Sequence, residues 1–141
     1  MIAVEIHNEF DIQLNKSSIQ VLLENILLDN KQNTGSINII MTDDDTLRLM
    51  KKEYFNQDLY TDVIAFNIDD NPFEGEIYIS HDRIKDNAKK FNQSLEDELK
   101  RILIHGSLHL CGYDDKTPKE KLEMTSLEEN YLEKFRDSIL S

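Results

Sequence analysis

Apolar and polar residues alternate over Ile2–His7, with Ile2, Val4 and Ile6 on one side and Ala3, Glu5 and His7 on the other. Period two is the signature of a half-buried strand. From Ser17 to about Leu28 the apolar residues fall at 19, 22, 23, 26 and 27, the spacing of an amphipathic helix. Asn33-Thr34-Gly35 marks a turn, and Ile37, Ile39, Ile40 and Met41 predict a second strand. Thr42 with Asp45 reads as a capping-box-like start to a helix carrying Leu47, Met50 and Tyr54. Asp62–Phe66 and Glu76–Ser80 predict two more strands, separated by a loop at Asp69-Asp70-Asn71-Pro72. Ile84, Ala88 and Phe91 mark a further helix.

The next helix is the most apolar. Ser94 and Asp97 cap its start, and Leu95, Leu99, Ile102, Leu103 and Leu110 form one stripe. Ile104 and Leu108 lie on the opposite side, so this helix is expected to be buried on more than one face and to be central. Gly112 suits its stop, because glycine accepts the left-handed backbone common there. Thr117-Pro118-Lys119-Glu120 then supplies an N-cap, a first-turn proline and a capping-box glutamate for a last helix with Met124, Leu127, Tyr131 and Phe135 on one face. The expectation is α/β: one domain over residues 1–141, with a mixed sheet of about four strands and about five helices.

Composition narrows the class. The chain of 141 residues is about one domain long, and no apolar run approaches the ~18 residues that span a bilayer. Its start, Met1-Ile2-Ala3-Val4-Glu5-Ile6, reads as a strand rather than a signal peptide. The single cysteine, Cys111, excludes an internal disulfide framework and fits a reducing compartment, so a cytoplasmic protein is expected. Net charge is −12, which argues against a nucleic-acid partner unless a local basic patch holds it. Lys51-Lys52, Lys89-Lys90 and Lys100-Arg101 are the basic pairs, and they read as solvated helix surface.

The chemistry is concentrated in His105-Gly106-Ser107-Leu108-His109-Leu110-Cys111-Gly112-Tyr113-Asp114-Asp115. Two histidines four apart on a helix lie about 40° apart around its axis and can converge on one tetrahedral metal ion. A third ligand has to come from elsewhere, and the turn at Gly112 can return either Asp114 or Asp115 to the helix end. Two histidines and a carboxylate form a hydrolytic zinc site, in which the ion brings the pKa of its water toward neutrality. By itself the spacing is also that of two packed histidines.

The whole string resembles the signature of the YbeY family, His-Gly-x-Leu-His-Leu-x-Gly-Tyr-Asp-His, at ten of eleven positions when the two free ones are counted. Tyr54, Asp58 and Thr61-Asp62-Val63-Ile64-Ala65-Phe66 resemble another stretch of that family. Gly75–Ser80 resembles its Gly-Asp-Ile-x-Ile-Ser strand, and Glu120, Met124 and Glu128 share the spacing of its last helix. The resemblance implies a metal-dependent, single-strand-specific endoribonuclease. Its implied roles are maturation of rRNA, notably the small-subunit 3′ end, and ribosome quality control, with RNA and small-subunit proteins as partners. It implies His105 and His109 as zinc ligands, with metal-activated water as nucleophile. Asp115 stands where the family has a third histidine, so the implied set is His105, His109 and Asp115, and manganese or another divalent ion becomes more competitive. Phe55 stands where the family has an arginine suited to phosphate, leaving Arg48, Lys51 or Lys52 for that task.

Other residues read more plainly. Cys111 points away from His109 and is expected to be a small buried residue, His7 to be on the surface, and His81 to open a helix. Thr61 and Asp62 either line the cleft or cap a strand, and neither is assigned a catalytic role. A metalloprotease is disfavoured because Gly106 follows the first histidine, where such enzymes need a general-base glutamate. The remaining alternative is a non-catalytic, ribosome-associated factor that keeps its metal for assembly.

Overall fold

The computed structural model describes residues 1–141. Nine elements follow in chain order: β1 (Ile2–His7), α1 (Lys16–Asp29), β2 (Gly35–Thr42), α2 (Asp44–Phe55), β3 (Val63–Asp70), β4 (Phe73–Ser80), α3 (His81–Lys90), α4 (Leu95–Leu110) and α5 (Pro118–Lys134). The four strands form one mixed sheet in the order β1-β2-β4-β3. β1 and β4 run parallel to β2, while β3 pairs antiparallel with β4 and forms an edge. α1 supplies the crossover that a parallel β1–β2 pair requires.

The period-two pattern decides which face is covered. Ile2 and Val4 of β1, Ile37 and Ile39 of β2, and Ile77 and Ile79 of β4 meet Ile19, Leu23 and Leu27 of α1 and Leu99, Ile102 and Leu103 of α4. Each such buried aliphatic side chain stabilises the fold by about 1.5–3 kcal/mol relative to exposure. A second cluster joins Leu22 and Ile26 of α1, Ile104 and Leu108 of α4, and Met124 and Tyr131 of α5. α4 therefore has apolar contacts on two sides, as its two stripes predict. Gly106 lets it settle on the sheet: a Cβ there would stand 3.1 Å from Ile77 Cγ2 and 3.4 Å from Val63 Cγ2.

Three local expectations are corrected. Thr42 stays in β2, in register with Ser80, and Asp43 caps α2 by accepting from the Thr46 amide at 2.7 Å. Asp69 and Asp70 are not loop but the end of β3, reached past an irregularity between Asn67 and Asp69. Phe91 lies just beyond α3 and is exposed, so it does not belong to the buried face of Ile84 and Ala88.

Candidate metal centre

α4 presents Glu98, Arg101, His105 and His109 along one flank, at spacings of three, four and four residues. This flank separates its two apolar contacts, so the polar side chains enter a partly closed groove rather than the core. The helix ends in a Schellman motif. The Gly112 amide donates to the His109 carbonyl and the Tyr113 amide to the Leu108 carbonyl, both at 3.0 Å. Gly112 takes φ +98°, which an L side chain rarely adopts. The reversal brings Asp115 back against the histidines.

Both imidazoles direct Nε2 inward, and the two Nε2 atoms are 3.0 Å apart. Asp115 Oδ2 lies 3.3 Å from His105 Nε2 and 3.7 Å from His109 Nε2. Ligand atoms 2.0–2.1 Å from a tetrahedral ion are about 3.3 Å from one another. The three separations bracket that edge length, so this donor set fits a small divalent ion without rearrangement. The residues alone left Asp114 and Asp115 open; Asp114 is exposed, and the carboxylate grouped with both histidines is that of Asp115.

Sequence reasoning did not find the support behind His105. Its Nδ1 is 2.7 Å from Glu128 Oε2, on a nearly buried side chain of α5. With Nδ1–H donating to that carboxylate, Nε2 is left unprotonated and free to bind a metal. Arg101 holds the carboxylates in place. It donates to both oxygens of buried Glu98, at 3.0 and 2.7 Å, and its Nη1 is 3.5 Å from Glu128 Oε1. Its Nη2 is also 3.7 Å from Asp62 Oδ2, and Asp62 accepts from Asn87 of α3 at 3.2 Å. Asp62 thus faces the centre from the start of β3. The signal for Glu128 was available: it sits between Met124 and Tyr131 in the apolar stripe of α5, where a carboxylate needs a partner.

These contacts set the electrostatics. Burial pulls His105 down, but the Glu128 hydrogen bond and charge, joined by Asp115 and Asp62, outweigh it and raise its pKa above the usual imidazole value. His109 goes the other way, lowered by burial and by the charge of its neighbour. Burial raises Asp62 against the attraction of Arg101. Burial also pushes the Cys111 thiol up to about 11, which keeps it protonated and a poor ligand. Cys111 is half-buried at the end of α4.

The remaining candidates fall outside the donor set. His7 is exposed, 3.3 Å from Asn38 Oδ1. His81 opens α3 and is buried, stacked on Phe10 at 4.5 Å. Thr61 bonds locally to the Val63 carbonyl. Phe55 is the last residue of α2, stacked on Phe66 with Lys51 over its ring at 4.7 Å. Arg48 is committed to Asp58 at 2.7 Å. One basic pair is not solvated surface: Lys100 is buried, and its ammonium donates to the Phe135 and Asp137 carbonyls, both at 3.0 Å, at the end of α5. Arg101 beside it is taken up by the carboxylates.

An α/β sheet carrying a helix with two converging histidines and a returning carboxylate has the design of a mononuclear metal hydrolase. The model of the endoribonuclease YbeY family matches residues 3–136, and the chain belongs to that family. It is 39% identical over 136 residues to an endoribonuclease YbeY of Flavobacterium johnsoniae, covering 96% of this chain and 97% of that one. A Flavobacterium psychrophilum protein of the same name is 40% identical over 136 residues, covering 96% of each chain. The fold is similar to the solution structure of a Thermotoga maritima protein, with a TM-score of 0.62 and 25% identity over 96% of this chain and 92% of that one. No helix is long and apolar enough to cross a membrane.

Proposed function

We propose that this member of the endoribonuclease family cleaves single-stranded RNA at a zinc ion held by His105, His109 and Asp115. Its place would be rRNA maturation, including the small-subunit 3′ end, and ribosome quality control in the cytoplasm. The observation that carries the reading is the spacing of the three donor atoms, 3.0, 3.3 and 3.7 Å, around one point. When bound, the ion supplies Lewis acidity toward a phosphoryl oxygen and makes water more acidic.

The protein contributes orientation and charge. Glu128 fixes the tautomer and ring direction of His105, and Arg101 fixes Glu128. Asp115 brings a negative charge to the donor set, which makes the centre less electrophilic than one with three imidazoles. Asp62 is a carboxylate whose pKa burial raises, placed beside the same arginine. Gly106 leaves no glutamate to act as the base of a peptidase.

The test is metal analysis with a matched ribonuclease assay on the wild type and His109→Ala. The expected outcome is about one zinc per wild-type chain and cleavage of single-stranded RNA, both lost in the variant. A wild-type chain that binds one metal yet cleaves no single-stranded RNA overturns the enzymatic reading in favour of a metal-binding assembly factor.

A further inference from the structure

Six of the eleven large apolar side chains exposed on the whole chain lie between residues 49 and 68: Leu49, Tyr54, Phe55, Leu59, Tyr60 and Ile68. Tyr54 is 61% exposed, Phe55 44% and Tyr60 47%. In a fold that, Phe91 apart, buries its other aromatic rings more fully, such a concentration marks an interaction surface. The rings are also organised. Phe55 and Tyr54 both pack on Phe66, at 5.9 and 5.3 Å between centroids, on the face of β3 opposite α4.

Cations accompany these rings. Lys51 lies 4.7 Å over the Phe55 ring, and the guanidinium carbons of Arg48 and Arg83 are each 5.0 Å from the centre of Tyr60. Helical spacing puts Arg48, Lys51 and Phe55 on one flank of α2. Residues 48–60 carry three cations and two carboxylates, and of these cations Lys51 and Lys52 stand outside the Arg48–Asp58 pair, in a chain of net charge −12. A cleft of about 670 Å³ between α4 and α5 is instead walled by five carboxylates and two arginines, a net negative lining unsuited to a phosphate backbone.

The aromatic surface adjoins Asp62, which a relay of side chains ties to the metal centre. Tyr60 is two residues from Asp62, so their Cα atoms are at most about 7 Å apart. Asp62 reaches Arg101, Arg101 reaches Glu128, and Glu128 holds His105. We propose that Phe55, Tyr60 and Lys51 form a subsite that stacks one or two unpaired bases of the RNA strand, with Arg48 and Arg83, held by Asp58 and Asp44, backing the Tyr60 ring. A base displaces the ammonium from the open face of Phe55, and the freed cation pairs with the adjoining phosphate. Aromatic faces bind any base, whereas bases in a duplex are unavailable for such stacking. The subsite rests on the single-stranded substrate of the proposed function and gives that preference a structural source.

The experiment measures binding of the full chain, with and without zinc, to a short 2′-O-methyl single-stranded oligoribonucleotide carrying a fluorescent base analogue, and to the matching duplex. Phe55→Ala is expected to weaken single-strand binding about tenfold or more and to abolish quenching of the analogue, with metal content unchanged. Phe55→Trp is expected to restore both. Lys51→Ala is expected to reduce the slope of log affinity against log salt by about one. Wild-type protein that binds duplex as tightly as single strand overturns the single-strand reading and the subsite with it. Retained single-strand preference, with Phe55→Ala binding as tightly as wild type, overturns the subsite alone and leaves the patch as a protein-docking surface.

Discussion

His105 is held from two sides that differ in kind. On the α5 side, Glu128 bonds its Nδ1 and is backed by Arg101, which also binds buried Glu98 and approaches Asp62. Every group there depends on another, and water has little access to the Glu98 and Glu128 side chains. On the loop side stands Asp115, 40% exposed in its side chain and carried by a turn after Gly112. The first side fixes where the imidazole points before any metal arrives; the second completes the donor set from a segment that can readjust. Substitution should therefore be costly on the first side and tolerated on the second. The histidine-to-aspartate difference from the family signature falls on the tolerant side.

Arg101→Met tests the enclosed side with the largest expected effect. It leaves Glu98 buried without its counterion and Glu128 with His105 alone, and breaking a buried pair on one side costs about 3–5 kcal/mol. Urea denaturation of the metal-free chain should show a loss of that order at unchanged m-value. A loss below about 1 kcal/mol would show that water relaxes the network, removing the contrast between the two sides.

Glu128 separates orientation from charge. Glu128→Leu is expected to weaken zinc binding 10–100-fold by isothermal titration, whereas Glu128→Gln keeps an acceptor for Nδ1–H and should retain most of the affinity. The pH dependence has a definite sign. In the metal-free chain His105 has a raised pKa, so its stabilising contribution is fully present below the unfolded value of 6.5 and is lost as pH rises through the folded value. The stability advantage of wild type over Glu128→Gln should therefore be widest in the acidic range and shrink as pH rises through the folded pKa. A gap that grows with pH would remove Glu128 as the source of that shift.

Much of this centre was legible because its signals are local. The four-residue spacing of the histidines, the stop at Gly112 and the Thr117–Glu120 capping box each lie within a few residues. So do the two apolar stripes that make α4 central. The Arg101 network was hidden because its members meet only in three dimensions: Glu128 is 23 residues from His105, and Asp62 arrives from the start of β3. The start of α2 was misplaced for a different reason. Thr42, Asp43, Asp44 and Asp45 are all side chains able to cap; the pairing of Thr42 with Ser80 removes the first, and the bond from the Thr46 amide selects Asp43. Asp115 itself came from resemblance, since the residues alone did not separate it from Asp114.

Asp115→His probes the open side, where the smallest effect is expected. A third imidazole is a softer and neutral ligand, which favours zinc over manganese and makes the bound ion more electrophilic. It also removes the carboxylate that helps to raise His105. With more than a third of the side chain in solvent, the turn has room for the longer ring without overpacking the core. Zinc affinity should rise by no more than about tenfold, equivalent to about 1.4 kcal/mol, with the zinc-to-manganese preference shifting in the same direction and folding stability unchanged. Competition between the two ions, followed by metal analysis, checks this. A chain that loses zinc on gaining the histidine would show that the loop is as tightly specified as the α5 side, and the contrast between the two would fail.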